Sequence, residues 1–215
     1  MPFQVYLHIG VAGIAFLAGL YSLRSLNKSL KILFLFTAFA FLTEISLAAL
    51  IAAGIKNTIP GLHFYIIFEF LLWALFFKSV LHPFIPKKII IAIIILFESY
   101  TIINLLFIQN LFTMPNLVRS VEGLLLALFS ILLFSKFMVE SKHREIQKEP
   151  LMWINTAVLV YFSGNFFFNI LFNLILENSR EFSRTTTFFF SGLNGLFYLL
   201  ITFGFLLQRK KVKNR

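Results

Sequence analysis

The sequence predicts an all-α membrane protein, one bundle of seven transmembrane helices occupying residues 1–215. Three observations predict it. Hydrophobic residues make up 59% of the chain and charged residues only 13%, against about a quarter charged in soluble domains. The apolar residues fall into seven runs, each long enough to cross a bilayer. The basic residues sit between those runs in short clusters. A soluble domain of this composition would expose large apolar patches and associate through them.

The expected helices follow in order. The first covers about 5–23; MPFQVYLHIG lacks a basic leader and a small-residue cleavage site, so this run reads as a retained helix. It carries Ala15 and Gly19 at small-x-x-x-small spacing, read as ordinary packing against a neighbouring helix. The second, about 32–55, ends in the turn-rich KNTIPG. The third, about 62–81, is stopped by the prolines of HPFIPKK. The fourth, about 89–107, runs into the polar loop IQNLFTMPN. The fifth, about 117–139, precedes the charged linker ESKHREIQKEP. The sixth spans about 151–176 and the seventh about 185–207, before QRKKVKNR. At 1.5 Å rise per residue each suits a hydrocarbon core of about 30 Å.

Lys and Arg concentrate after helices 1, 3 and 5 and in QRKKVKNR, and thin out after helices 2, 4 and 6. By the positive-inside rule this places the N-terminus outside and the C-terminus in the cytoplasm. The formal net charge of +10 is therefore read as membrane topology and not as a nucleic-acid surface. Cysteine and aspartate are absent and all nine acids are Glu, which excludes disulfides, thiolate metal sites and Asp-dependent hydrolysis.

Polar residues inside the spans carry the functional signal. In the sixth helix Tyr161, Asn165, Asn169 and Asn173 recur at i, i+4, i+8, i+12, one polar stripe on an apolar cylinder. Lipid cannot satisfy amide side chains, so the stripe must face protein, water or a ligand. The seventh helix repeats the device with Thr187, Ser191, Asn194 and Tyr198. Glu44, Glu69, Glu98 and Glu122 lie within four consecutive spans, near the midplane or in the outer half. A mid-bilayer charge costs about 2.5–3.5 kcal/mol even on the lenient insertion scale. Tyr65 and Glu69 share a face at i, i+4. Arg119 and Glu122, at i, i+3, are expected to form an internal ion pair, and His63 opens the third helix near the outer surface. The economical arrangement is one outward-opening polar cavity ringed by helices 2 to 7.

Taken singly, each such residue can be structural, hydrogen-bonding helices together at about 0.6 kcal/mol. Four carboxyls exceed what such bonding needs. No cofactor is expected. The His residues lack zinc-site spacing with Glu, and the last helix has no Schiff-base Lys before Lys210. No local nucleophile motif such as Gly-x-Ser-x-Gly occurs, so no catalytic residue is assigned.

The chain resembles a set of uncharacterised seven-helix integral membrane proteins of Bacteroidota. The matching elements are Glu44, Phe68-Glu69-Phe70, Glu98, Trp153-Ile154-Asn155 and Tyr161-Phe162-Ser163-Gly164-Asn165. The resemblance implies the fold and a bacterial inner-membrane location, and no activity. Lysoplasmalogenase-type enzymes are similar in length and hydropathy but rely on Asp.

The leading expectation is a sensor- or receptor-like protein. It would bind a small polar or cationic ligand within the bundle and require a signalling partner protein. A proton-linked transporter of a small molecule and an intramembrane lipid-modifying enzyme stay open as alternatives. The bilayer is the other expected partner, and nucleic acid is not one.

Overall fold

A computed structural model describes residues 3–55, 57–140, 146–178 and 180–214, with side chains throughout except at Phe3, Ile146 and residues 171–187. His143 of the charged linker lies outside these residues, as do the side chains of Asn173 and Thr187 from the two polar stripes.

Among the described residues there are seven α-helices: α1 (Phe3–Ser22), α2 (Lys28–Ala52), α3 (Ile59–Leu81), α4 (Lys87–Ile103), α5 (Asn116–Glu140), α6 (Pro150–Asn178) and α7 (Arg180–Lys213). All seven are long and apolar enough to cross a membrane. Each leaves large apolar side chains on the outside of the bundle, among them Leu17, Leu42, Phe68, Leu96, Leu128, Phe167 and Leu199. That exterior fits lipid and would be a liability in water.

Several boundaries differ from the expected ones for local reasons. α2 begins at Lys28 and not Ile32, because the Asn27 side chain accepts a hydrogen bond from Leu30 N at 3.0 Å and caps the helix. It ends at Ala52 and not Ile55. Gly54 adopts φ +88°, Gly54 N donates to Ile51 O, and Ile55 N donates to Leu50 O. These paired bonds form a Schellman motif, which a glycine in the left-handed region permits. α4 gives way to one π-helical turn over Asn104–Ile108. α7 continues through the basic run to Lys213, beyond the expected end at 207.

The packing order corrects the expected ring. α1 packs against α2 and α7, α2 against α3, α3 against α5, α5 against α6, and α6 against α7, closing a circle of six. α4 lies outside that circle, mainly against α3. Helix α1 therefore takes the place in the ring that the sequence reading gave to α4.

Close approaches are made by small residues. A Cβ on Gly123 of α5 would lie 2.8 Å from the Phe162 carbonyl oxygen of α6. One on Gly19 of α1 would meet Phe34 at 2.6 Å and Phe205 at 3.0 Å, so the small residues of α1 serve packing within the chain. At the centre Trp73 is fully buried among Phe36, Phe76, Phe162 and Phe197, with ring centroids 5.0–6.0 Å apart. This aromatic core joins α2, α3, α6 and α7 and underlies the polar end of the bundle.

Candidate functional site

A cavity of about 310 Å³ lies in the half of the bundle where α1, α3, α5 and α7 begin. Helix α6 contributes Tyr161, Asn165, Phe168 and Asn169; α7 contributes Phe190, Ser191, Asn194 and Tyr198. Helix α2 adds Thr43, Glu44 and Leu47. Leu62 and Tyr65 come from α3, Met114 and Arg119 from α5 and the segment before it, and Gln4 and His8 from α1. The stripes of α6 and α7 thus turn to one space, as i, i+4 spacing requires.

Helix α6 also shows how one sequence motif serves three faces. Tyr161 and Asn165 line the cavity, Phe162 enters the aromatic core, and a Cβ on Gly164 would meet Leu193 of α7 at 2.7 Å. Asn155, one turn and a half earlier, points elsewhere. Its Nδ2 donates to Ser130 O at 2.9 Å and its Oδ1 accepts from Ser130 Oγ at 2.9 Å. Both residues are fully buried, so this is a reciprocal staple between α5 and α6.

The charges divide unequally. Arg119 forms an ion pair with Glu69 of α3, Nη1 to Oε2 at 3.5 Å, and not with Glu122 as the i, i+3 spacing led us to expect. Positions three apart on a helix lie about 60° apart around its axis. Arg119 lines the cavity and reaches α3, whereas Glu122 is not on the lining; among the described residues Glu122 Oε1 is buried without a hydrogen-bond partner, and Glu69, Arg119 and Glu98 are its electrostatic neighbours. Tyr65 Oη donates to Glu69 Oε1 at 3.2 Å, and the Arg119 guanidinium sits 5.8 Å from the Tyr65 ring centroid. Glu69 is 1% exposed and does not line the cavity; it acts there through Tyr65 and Arg119.

Glu44 does line it. Among the described residues its carboxylate has no hydrogen bond and no ion pair; Arg119 is its electrostatic neighbour. Among the described residues Arg119 is the only Lys or Arg on the lining and its ion pair is with Glu69, so Glu44 is the lining carboxylate without an ion-pair partner there. Tyr65, Tyr161 and Tyr198 stand around it, Tyr161 stacked on Phe197 at 4.4 Å. Among the described residues Asn165 Nδ2 and Asn194 Oδ1 are buried without a hydrogen-bond partner, one a donor and one an acceptor on the same lining. Asn169 Nδ2 is satisfied by Asn165 O at 2.7 Å.

Two sequence-predicted residues stand apart. His63 is buried but donates through Nε2 to Thr113 O at 3.1 Å, tying the segment before α5 to α3. Glu98 is on α4, outside the ring; among the described residues both its carboxyl oxygens are buried without hydrogen-bond partners, and Glu122 is its electrostatic neighbour. Thr101 and Asn104 continue the same buried face of α4.

The sequence reading missed Gln4 and His8. Their i, i+4 spacing was the available signal, but only the packing of α1 on α7 brings them to the site. His8 Nε2 lies 3.3 Å from Ser191 Oγ, a nucleophile–base reach across 183 residues. Among the described residues nothing bonds His8 Nδ1, so the group that would orient a catalytic base is missing from the arrangement. No group of three or more His, Asp or Glu among the described residues is placed to share a metal ion. No protein-family model, curated protein or solved structure matches the chain.

Proposed function

We propose that this chain is a receptor-like membrane protein that holds a small cationic ligand in the intramembrane cavity, with Glu44 as counter-ion. The observation that carries this reading is the division of charge: Arg119 forms its ion pair with Glu69, while Glu44 lines the cavity with no ion-pair partner among the described residues. A cation is the economical complement to a carboxylate removed from water. The tyrosine rings add attraction for a cation on their faces. Asn165 Nδ2 and Asn194 Oδ1 offer a donor and an acceptor that a polar group on the ligand can complete. The charge bias of the loops supports a cavity that opens to the outer side of the membrane, which the proposal takes to be a bacterial inner membrane, and a signalling partner would read the bound state.

The test is the thermal stability of purified protein in detergent with butylammonium chloride as probe, alongside Glu44→Gln, Glu69→Gln and Glu98→Gln. The wild type should be stabilised, with at least tenfold weaker binding in Glu44→Gln and intact folding. Equal binding by wild type and Glu44→Gln would remove the basis of the proposal. Reporters fused after Arg215 and before Met1 should be active only inside and only outside respectively; the reverse would overturn the orientation.

A second reading, proton-linked transport, draws on Glu98 and Glu122. Among the described residues both Glu98 carboxyl oxygens and Glu122 Oε1 are buried without hydrogen-bond partners, and Glu122 is the electrostatic neighbour of Glu98 and of Glu69, whose pair with Arg119 reaches the cavity. It predicts ligand uptake into vesicles driven by a pH gradient and lost in Glu122→Gln.

A further inference from the structure

The opposite end of the α1–α7 seam holds a second concavity, a cleft of about 440 Å³. Its walls carry Arg24, Arg209 and Lys213, with Leu20, Tyr21 and Val212 on the apolar side. Among the described residues no acidic one lines it. The nearby Glu149 is occupied by Lys211 at 2.7 Å, so the local carboxylate is spent elsewhere. Among the described residues neither Arg24 nor Lys213 has an ion-pair partner. The three cations stand at the ends of apolar spans, Gln4–Ser25 and Phe188–Lys213, which is the depth of the lipid headgroups.

The carbonyl groups at the end of α1 would ordinarily repel an anion here. They are occupied. Arg209 donates from Nη1 to Tyr21 O, and Gln208 Nε2 donates to Ser25 O at 3.2 Å. The Arg209 guanidinium also lies over the Tyr21 ring, 3.4 Å from its centroid. That double hold fixes the guanidinium plane while leaving further N–H donors for another partner. Exposed Leu20, Tyr21 and Val212 continue from the cleft along the lipid-facing surface.

We infer that this cleft binds the phosphate of an anionic phospholipid headgroup, with Arg24, Arg209 and Lys213 as its donors and the Leu20–Tyr21 surface against its acyl chains. Arg and Lys clusters between helix ends are suited to such headgroups, and a guanidinium fork matches phosphate oxygens. This cleft shares no lining residue with the central cavity.

The experiment measures lipid retention by native mass spectrometry and thermal stability in mixed micelles of phosphatidylglycerol or phosphatidylcholine. It compares wild type with the double variant Arg24→Gln/Lys213→Gln. Arg209 is left intact because it caps α1. The exposed Lys28→Gln/Lys210→Gln variant, which removes the same net charge outside the lining, is the control. Wild type and control should retain phosphatidylglycerol in preference to phosphatidylcholine. The cleft variant should bind it more weakly by on the order of 25-fold, from about fivefold per cation. Equal retention by the cleft variant and wild type would overturn the site, as would an equal loss in the control. Stabilisation by inorganic phosphate alone that matches phosphatidylglycerol would overturn the lipid assignment.

Discussion

Exchange of Glu69 tests the logic of the cavity from a residue that does not line it. The Arg119–Glu69 pair is separated by 3.5 Å, with side chains 16% and 1% exposed. At an effective dielectric constant of about 20, Coulomb's law gives an attraction of about 5 kcal/mol at that distance. Desolvation and ordering of the arginine offset part of it, so a coupling energy of about 2–3 kcal/mol is expected. In a double-mutant cycle, Arg119→Ala and Glu69→Ala should each cost about 3–5 kcal/mol, because each strands a buried partner. The double variant should lose less than the sum by the coupling energy. Glu69→Gln carries the functional consequence. It removes the carboxylate that holds Arg119 but keeps a carbonyl for the Tyr65 hydroxyl. Arg119 is then free to turn to Glu44, its electrostatic neighbour on the same lining. Binding of butylammonium should fall at least tenfold, although residue 69 never touches the cavity. The assays are reversible denaturation in mixed detergent micelles for the cycle and a thermal-shift titration for binding. Additivity within about 0.5 kcal/mol, or a stronger coupling of Arg119 to Glu122 than to Glu69, would refute the pairing. Unchanged affinity in Glu69→Gln would refute the claim that Glu69 keeps Arg119 from Glu44.

Three further outcomes follow from packing. Gly123→Ala should destabilise by about 1–3 kcal/mol, because its Cβ meets α6 backbone that cannot rotate away, while Gly192→Ala, with open space at its Cβ, should be neutral or slightly stabilising; thermal denaturation of the two distinguishes a local clash from a helix-propensity effect. Asn155→Ala removes the amide donor to Ser130 O and the Oδ1 acceptor of Ser130 Oγ, leaving the hydroxyl its bond to the residue 155 carbonyl, and should cost about 1–2 kcal/mol in the same assay, with Ser130→Ala milder. His63→Phe should leave the melting temperature nearly unchanged yet speed proteolysis within residues 109–115, since it cuts the bond that holds Thr113 to α3.

The seven spans were legible because the membrane imposes length and apolarity on each one. Their ends were legible where proline marked them, as after Leu81, and were misplaced where a helix ran on through basic residues, as α7 does, or where a side chain or a glycine decided the matter, as Asn27 and Gly54 do for α2. The stripes of α6 and α7 were legible because a polar residue in an apolar helix has few places to go, and Tyr161, Asn165, Ser191 and Asn194 do converge. Neighbour order was not legible. A transmembrane helix is apolar toward lipid and toward protein alike, so hydropathy cannot tell α4, which packs outside the ring, from α1, which completes it. The error then propagated: Glu98 was expected in the cavity because α4 was, and Gln4 and His8 were overlooked because α1 was not. Arg119 was assigned Glu122, its partner nearest in sequence, when the nearer charge in space belongs to another helix.

The α1–α7 seam gives α1 a larger role than its plain composition announces. At one end His8 meets Ser191 on the cavity lining; at the other, Arg209 and Gln208 of α7 bond the carbonyls that close α1. Between them Gly19 lies so close to Phe205 that no larger side chain fits without a shift. A seam held at both ends by polar bonds and in the middle by close packing has little freedom to slide, since one bond cannot lengthen without disturbing the tight contact beside it. The cavity wall supplied by Gln4 and His8 is therefore set by the same contacts that position Arg209 in the basic cleft. Small residues in the middle of α1 and polar residues at its ends are what such a seam requires. That distribution accounts for Ala12, Ala15 and Gly19 lying buried along a helix whose other faces are exposed Leu17, Leu20 and Tyr21.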